Sequence, residues 1–181
     1  MTDENKYSAW IGNKEVTKAL VTAYQADALT ATLNREEPPF KEGDPIPPGW
    51  HLFYIREVVK LSDTASDGHP KRGNFLPPID LPRRMWAGTK ATFHRSIHVG
   101  EKINKVSTIE AVTPKVGKTG NLVFLSLKHE INGESGLAVT ELQDVVYREE
   151  AKQGSVAPMP SSPPAKAVWS RDINPSPVLL F

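Results

Sequence analysis

The sequence predicts an α+β domain, on three observations: helical spacing near the N-terminus, strand alternation from Arg84 to Tyr147, and prolines gathered at the joints. The 16 prolines cluster from Pro38 to Pro48, from Pro70 to Pro82 and from Pro158 to Pro177. Proline interrupts both kinds of hydrogen-bond ladder, so these clusters divide the chain into a helical part, a strand-rich part and a tail. The 181 residues suffice for one domain with a real core.

In the first element, Val16, Ala19, Leu20, Ala23 and Ala26 recur at helical spacing, while Lys14, Lys18, Gln25 and Asp27 fall elsewhere on the wheel. This predicts a helix from Glu15 to Leu33, N-capped by Asn13, with Glu15 at the positive end of its dipole. Pro38 and Pro39 forbid its continuation. Glu36 to Gly49 is a loop of turn formers. Trp50 to Leu61 is ambiguous: Leu52, Ile55 and Val59 make a helical stripe, whereas the β-branched and aromatic content suits a strand. Ser62 to Pro82 is a long loop, the kind that in a compact domain is functional or mobile.

Strand texture follows. Thr89 to Val99 alternates through Ala91, Phe93, Ile97 and Val99, and Gly100-Glu101 turns the chain into a second strand, Lys102 to Thr113. A Gly-containing loop, Lys115 to Gly120, leads to Leu122 to Ile131. Asn132-Gly133 is a hairpin signal before Leu137 to Tyr147. Successive hairpins of this length predict an antiparallel meander. Residues 149–177 are a linker by composition, rich in proline and serine. The apolar run 178–181 reads as the start of an element that needs a partner strand.

Composition narrows the function. With 22 basic and 21 acidic residues the net charge is +1, which lacks the basic excess of a nucleic-acid binder. The close basic pairs, Lys71-Arg72 and Arg83-Arg84, suit one phosphate or carboxylate. No apolar run is long enough to span a bilayer, and the polar N-terminus lacks a signal-peptide core. The chain has no cysteine, which excludes disulfides, thiolate nucleophiles and sulfur-ligated metals. A cytoplasmic location is expected, although the absence of cysteine suits an exported protein too.

The strings Phe75-Leu76-Pro77-Pro78 and Leu81-Pro82-Arg83-Arg84-Met85-Trp86-Ala87-Gly88 resemble the N-terminal half of MaoC-like double hot-dog acyl-CoA hydratases of the mesaconyl-CoA or methylfumaryl-CoA type. Pro47-Pro48-Gly49-Trp50-His51, Asp67-Gly68-His69, Val99-Gly100-Glu101, residues 115–120 and residues 141–148 extend the likeness. The resemblance implies a hot-dog fold, an antiparallel sheet wrapped around a central helix, and so assigns Trp50 to Leu61 as that helix. It implies a hot-dog domain over 1–148, the linker, and the start of a second hot-dog unit at 178–181. That unit, fused or on a separate chain, would supply the catalytic Asp and His. The substrate would be an acyl-CoA, with CoA part of the substrate and no separate cofactor, in a homodimer or hetero-oligomer. The alternative is a binding subunit that holds acyl-CoA or a partner protein without catalysing.

On this reading no residue of the chain is catalytic. Single hot-dog hydratases carry a Gly-Asp-x-Asn-Pro-x-His type signature. Here Gly43-Asp44-Pro45 is followed by His51, two positions too far along, so Asp44 and His51 suit a turn as well as a site. Asp67 and His69 form another carboxylate–imidazole pair in the long loop, with an exposed turn as the alternative. Arg83 and Arg84, beside Trp86, could grip CoA phosphates or an acyl carboxylate with a bidentate fork, or pair with a structural acid. Lys115 and Lys118 could touch a CoA phosphate or be solvated at a hairpin tip. His94 and His98 share a strand face about two pleats apart, too far for easy chelation, so no metal site is expected. Trp10, Trp50, Trp86 and Trp169 are expected as core or interface anchors.

Overall fold

The computed structural model describes residues 6–117 and 120–150. The expected linker beyond residue 150, the apolar run 178–181, Lys118 and Trp169 lie outside the described residues. Five strands form one antiparallel sheet: β1 (Lys14–Leu20), β2 (Arg83–Phe93), β3 (Lys102–Gly117), β4 (Gly120–Gly133) and β5 (Gly136–Arg148), in the order β1-β3-β4-β5-β2. Two helices, α1 (Ala23–Thr32) and α2 (His51–Tyr54), lie between β1 and β2 in the chain. This is the hot-dog fold. No helix among the described residues is long and apolar enough to cross a membrane.

The central hairpins follow the sequence reading. β3, β4 and β5 are a meander paired from Asn104↔Asn132 to Gly117↔Gly120, with a register shift between Ile109 and Ala111, and from Leu122↔Arg148 to Gly133↔Gly136, with a shift between Ile131 and Asn132. The β4–β5 turn sits two residues beyond the Asn132-Gly133 signal, since Gly133 still pairs with Gly136, whose φ of 97° only glycine adopts readily.

Three elements differ from expectation. The helix expected from Glu15 to Leu33 is a strand followed by a helix. β1 pairs with β3 from Lys14↔Thr108 to Leu20↔Lys102, and Glu15, Thr17 and Ala19 alternate inward against exposed Lys14, Val16, Lys18 and Leu20. Positions that fit helical spacing also fit alternation over so short a stretch, and the available edge of β3 decides between them. Thr22, not Asn13, is the N-cap: its backbone is extended and its hydroxyl accepts from Gln25 N. The helix ends before Asn34, whose φ is 49°.

The central helix expected over Trp50 to Leu61 is one turn. Trp50, His51, Tyr54 and Ile55 are buried and Val59 is half-buried, but Leu52 is exposed, so the Leu52–Ile55–Val59 stripe is not one buried helical face. Ile55 leaves helical geometry with ψ at 72°. The strand expected over Thr89 to Val99 is shifted to Arg83–Phe93 and pairs with β5 across the sheet, so it makes no hairpin with β3. Residues 97–99 instead run beside residues 43–46, through Ile46 N–H to Ile97 O, Val99 N–H to Asp44 O and Gly43 N–H to Val99 O.

The inward face carries two apolar clusters. One joins Val21, Ala26, Leu29, Ile46, Trp50 and Tyr54 to Ile103, Ile131 and Val139 of the sheet. The other joins Tyr7 and Ile79 to Ile109, Val112, Val123, Leu125, Leu127, Val145 and Tyr147. Helices α1 and α2 cover the first cluster, and residues near 75–81 cover the second. Between them the strands turn polar.

Candidate functional site

Each central strand breaks its apolar alternation at the same level. β4 presents Val123, Leu125 and Leu127 inward, then His129, then Ile131. β3 carries Lys105 and Ser107 between Ile103 and Ile109, and β5 carries Glu141 and Gln143 between Val139 and Val145. Register aligns three of these polar residues with Glu15 of β1 in one row, a polar belt across the sheet: Glu15↔Ser107, Ser107↔His129 and His129↔Glu141. Burying polar groups in a core is unfavourable unless they find partners, and these do. His51 Nε2 donates to Glu141 Oε1 at 3.1 Å, with both side chains buried. His129 lies 2.9 Å from Ser107 Oγ through Nδ1 and 3.2 Å from Gln143 Oε1 through Nε2.

The electrostatics follow from this packing. Burial works to raise the Glu141 carboxyl, but the hydrogen bond and charge of His51, with His129 and Lys105 nearby, outweigh it and hold the group below its ordinary range. Burial, reinforced by the Lys105 ammonium, pushes the His129 imidazole down, so it is neutral near pH 7. Burial and the neighbouring Glu57 raise the Glu15 carboxyl.

The belt is the floor of a cleft of about 250 Å³. His51, Leu52 and Ile55 form one wall, residues His69, Pro70, Lys71, Asn74, Phe75 and Leu76 the other, and Arg84 of β2 reaches in from the edge. Of the residues singled out in the sequence, His51, His69, Lys71 and Arg84 therefore meet in one place. The others do not. Asp44 accepts from Lys41 N–H at 2.7 Å and closes a turn, so it forms no pair with His51. Asp67 accepts from His69 N–H at 3.1 Å, bonding that residue's backbone and not its imidazole. Arg83 is exposed, opposite Arg148. Trp86, expected as an anchor, is 68% exposed and donates through Nε1 to Thr89 Oγ1. Lys115 Nζ lies 4.8 Å over the Phe124 ring, beside a separate hollow of about 350 Å³. His94 meets Thr140 Oγ1 at 2.9 Å, and His98 faces Glu101. The sequence reading missed Lys105, Ser107, His129, Glu141 and Gln143. Their one signal was a polar residue at the inward phase of an apolar strand.

Comparison with known proteins fits this geometry. The model of the hydroxyacyl-thioester dehydratase type 2 family matches residues 49–181. The chain belongs to that family. This MaoC-like hot-dog chain is 37% identical over 178 residues to a mesaconyl-C(4)-CoA hydratase of Chloroflexus aurantiacus, covering 97% of the chain. It spans only 62% of that relative's length. Among solved structures, a chain of the ChsH1-ChsH2 complex from Mycobacterium tuberculosis superposes with a TM-score of 0.58 at 13% identity, over 77% of this chain and 86% of that one. A MaoC-like dehydratase from Rhodospirillum rubrum gives a TM-score of 0.43 at 11% identity, over 78% and 94%.

Proposed function

We propose that this chain is the non-catalytic, substrate-holding half of a hydro-lyase that adds water to, or removes it from, an enoyl-CoA thioester. The acyl group is branched or dicarboxylic, as in mesaconyl-CoA. The observation that carries the reading is the cleft over the polar belt, in a chain of a dehydratase family whose hydratase relative continues well beyond the matched length. Hydration needs a base to activate water, an acid to protonate the α-carbon, and donors for the developing enolate oxygen. In this half the buried imidazole of His51 is engaged by Glu141, and His129 by Ser107 and Gln143, so both rings serve to shape the cleft.

A second hot-dog unit, fused or separate, completes the site. The exposed edge of β2, with Met85, Trp86 and Phe93 uncovered, supports docking of its sheet there. The reaction requires no cofactor beyond the CoA of the substrate, and a cytoplasmic setting suits it.

The test is turnover of mesaconyl-CoA by this chain alone and with a second hot-dog unit added. Activity is expected only with the second unit. Robust turnover by the chain alone would overturn the division of labour, and His51 with Glu141 would become the first targets.

A further inference from the structure

The hydrogen bonds of the belt run in one direction. Gln143 Oε1 only accepts, so the His129 Nε2 beside it carries the proton. The neutral ring then has a bare Nδ1, which takes the hydrogen of the Ser107 hydroxyl. The outcome lies at the far end of this relay. Gln143 lines the cleft, its oxygen is occupied, and its amide nitrogen has no partner among the described residues. Two N–H donors therefore face the cleft on a side chain whose rotation His129 restrains.

The charges of the cleft are divided. Glu15 and Glu57 lie at the β1 end, with the Lys105 ammonium acting on Glu15. Gln143 is on β5, and Arg84 reaches the cleft from β2, the strand paired with β5. Arg84 makes no ion pair among the described residues. The Arg84 guanidinium and the free Gln143 donors thus belong to the β5–β2 side, where the one cleft carboxylate among the described residues, Glu141, is engaged by His51, while Glu15 and Glu57 sit at the other end.

We infer that Gln143, held by His129 and Ser107, is a specificity-determining residue that reads a carboxylate oxygen on the acyl group, with Arg84 supplying the charge. This rests on the acyl-CoA reading above. A plain hydrocarbon end would strip water from the Gln143 amide and return nothing, so the site selects against unsubstituted chains.

The test is titration calorimetry of the full chain with succinyl-CoA and butyryl-CoA, saturated thioesters that differ in the terminal carboxylate and cannot be hydrated. The wild-type chain is expected to prefer succinyl-CoA by about tenfold. Gln143→Leu, similar in size without donors, should bring the ratio near one, by weakening succinyl-CoA binding and relieving the desolvation penalty on butyryl-CoA. Gln143→Glu should weaken succinyl-CoA further. If Gln143→Leu does not fold, Gln143→Asn, which withdraws the amide by one methylene, should also lower the ratio. A wild-type chain that binds both esters equally, or a ratio unmoved by these variants, overturns the assignment of Gln143 alone. A chain that binds neither ester overturns the acyl-CoA reading, and this assignment with it.

Discussion

His51 and Glu141, 90 residues apart in sequence, meet at 3.1 Å beneath the cleft, and each makes the burial of the other tolerable. The pair ties the single turn α2 to the middle of β5, where the expected long helix is absent. Removing one partner leaves the other buried and unpaired. Glu141→Leu should therefore cost about 3–5 kcal/mol in urea unfolding. Glu141→Gln, which keeps an acceptor, should cost about 1–2 kcal/mol. The double variant His51→Leu/Glu141→Leu should be more stable than Glu141→Leu alone, because no orphaned polar group remains.

The belt also sets how stability responds to pH. Glu141 titrates in the fold below its ordinary 4.5, so its contribution is complete above that value and is lost as pH falls through the folded value. His129 titrates in the fold below its ordinary 6.5, because its charged form is disfavoured there. The unfolded chain therefore binds that proton first, and stability declines as pH drops below 6.5. Unfolding free energies measured from about pH 7 to about pH 5 should fall, with a limiting slope of about 1.4 kcal/mol per pH unit for one proton. His129→Gln should flatten that segment of the curve. A slope unchanged by the substitution would assign the effect to another group.

The same residues show what was legible in the sequence. β3, β4 and β5 could be read because long alternation with Gly-containing turns has few rival interpretations. β1 could not, since Lys14 to Leu20 is short enough to satisfy both periods and only the edge of β3 resolves it. The belt was invisible for a different reason. His129 is one polar residue in an apolar stripe, and its meaning depends on Ser107 and Glu141 lying opposite it, which register fixes and spacing along the chain does not. Arg84 and His51 were named from local texture, but what joins them is the cleft.

The start of α1 offers a direct check of the revised N-terminal region. If Thr22 is the cap, Thr22→Ala should destabilise the domain by about 1 kcal/mol, since an orphan N–H of the first turn loses its acceptor. Asn13→Ala should change stability by no more than about 0.5 kcal/mol, because Asn13 precedes a strand and caps nothing. Chemical denaturation of the two variants distinguishes the arrangements, and the reverse order of effects would restore a helix beginning at Glu15.

The arginine pair separates binding from structure. Arg84 stands opposite Tyr147 on the inward side and lines the cleft, whereas Arg83 stands opposite Arg148 in solvent. The two are neighbours in sequence with similar chemistry, so alternation alone gives them different tasks. A charge-assisted hydrogen bond contributes about 1.5–3 kcal/mol, so Arg84→Ala should weaken succinyl-CoA binding about tenfold or more. Arg84→Lys should recover only part of that loss, because an ammonium lacks the planar fork that grips two carboxylate oxygens. Arg83→Ala should leave the affinity within about twofold, since an exposed cation contributes only a screened interaction. Calorimetric Kd values with Tm measured in parallel decide the matter: a lower Tm at unchanged Kd for Arg84→Ala would make this guanidinium a structural neighbour of Tyr147 and remove it from the site.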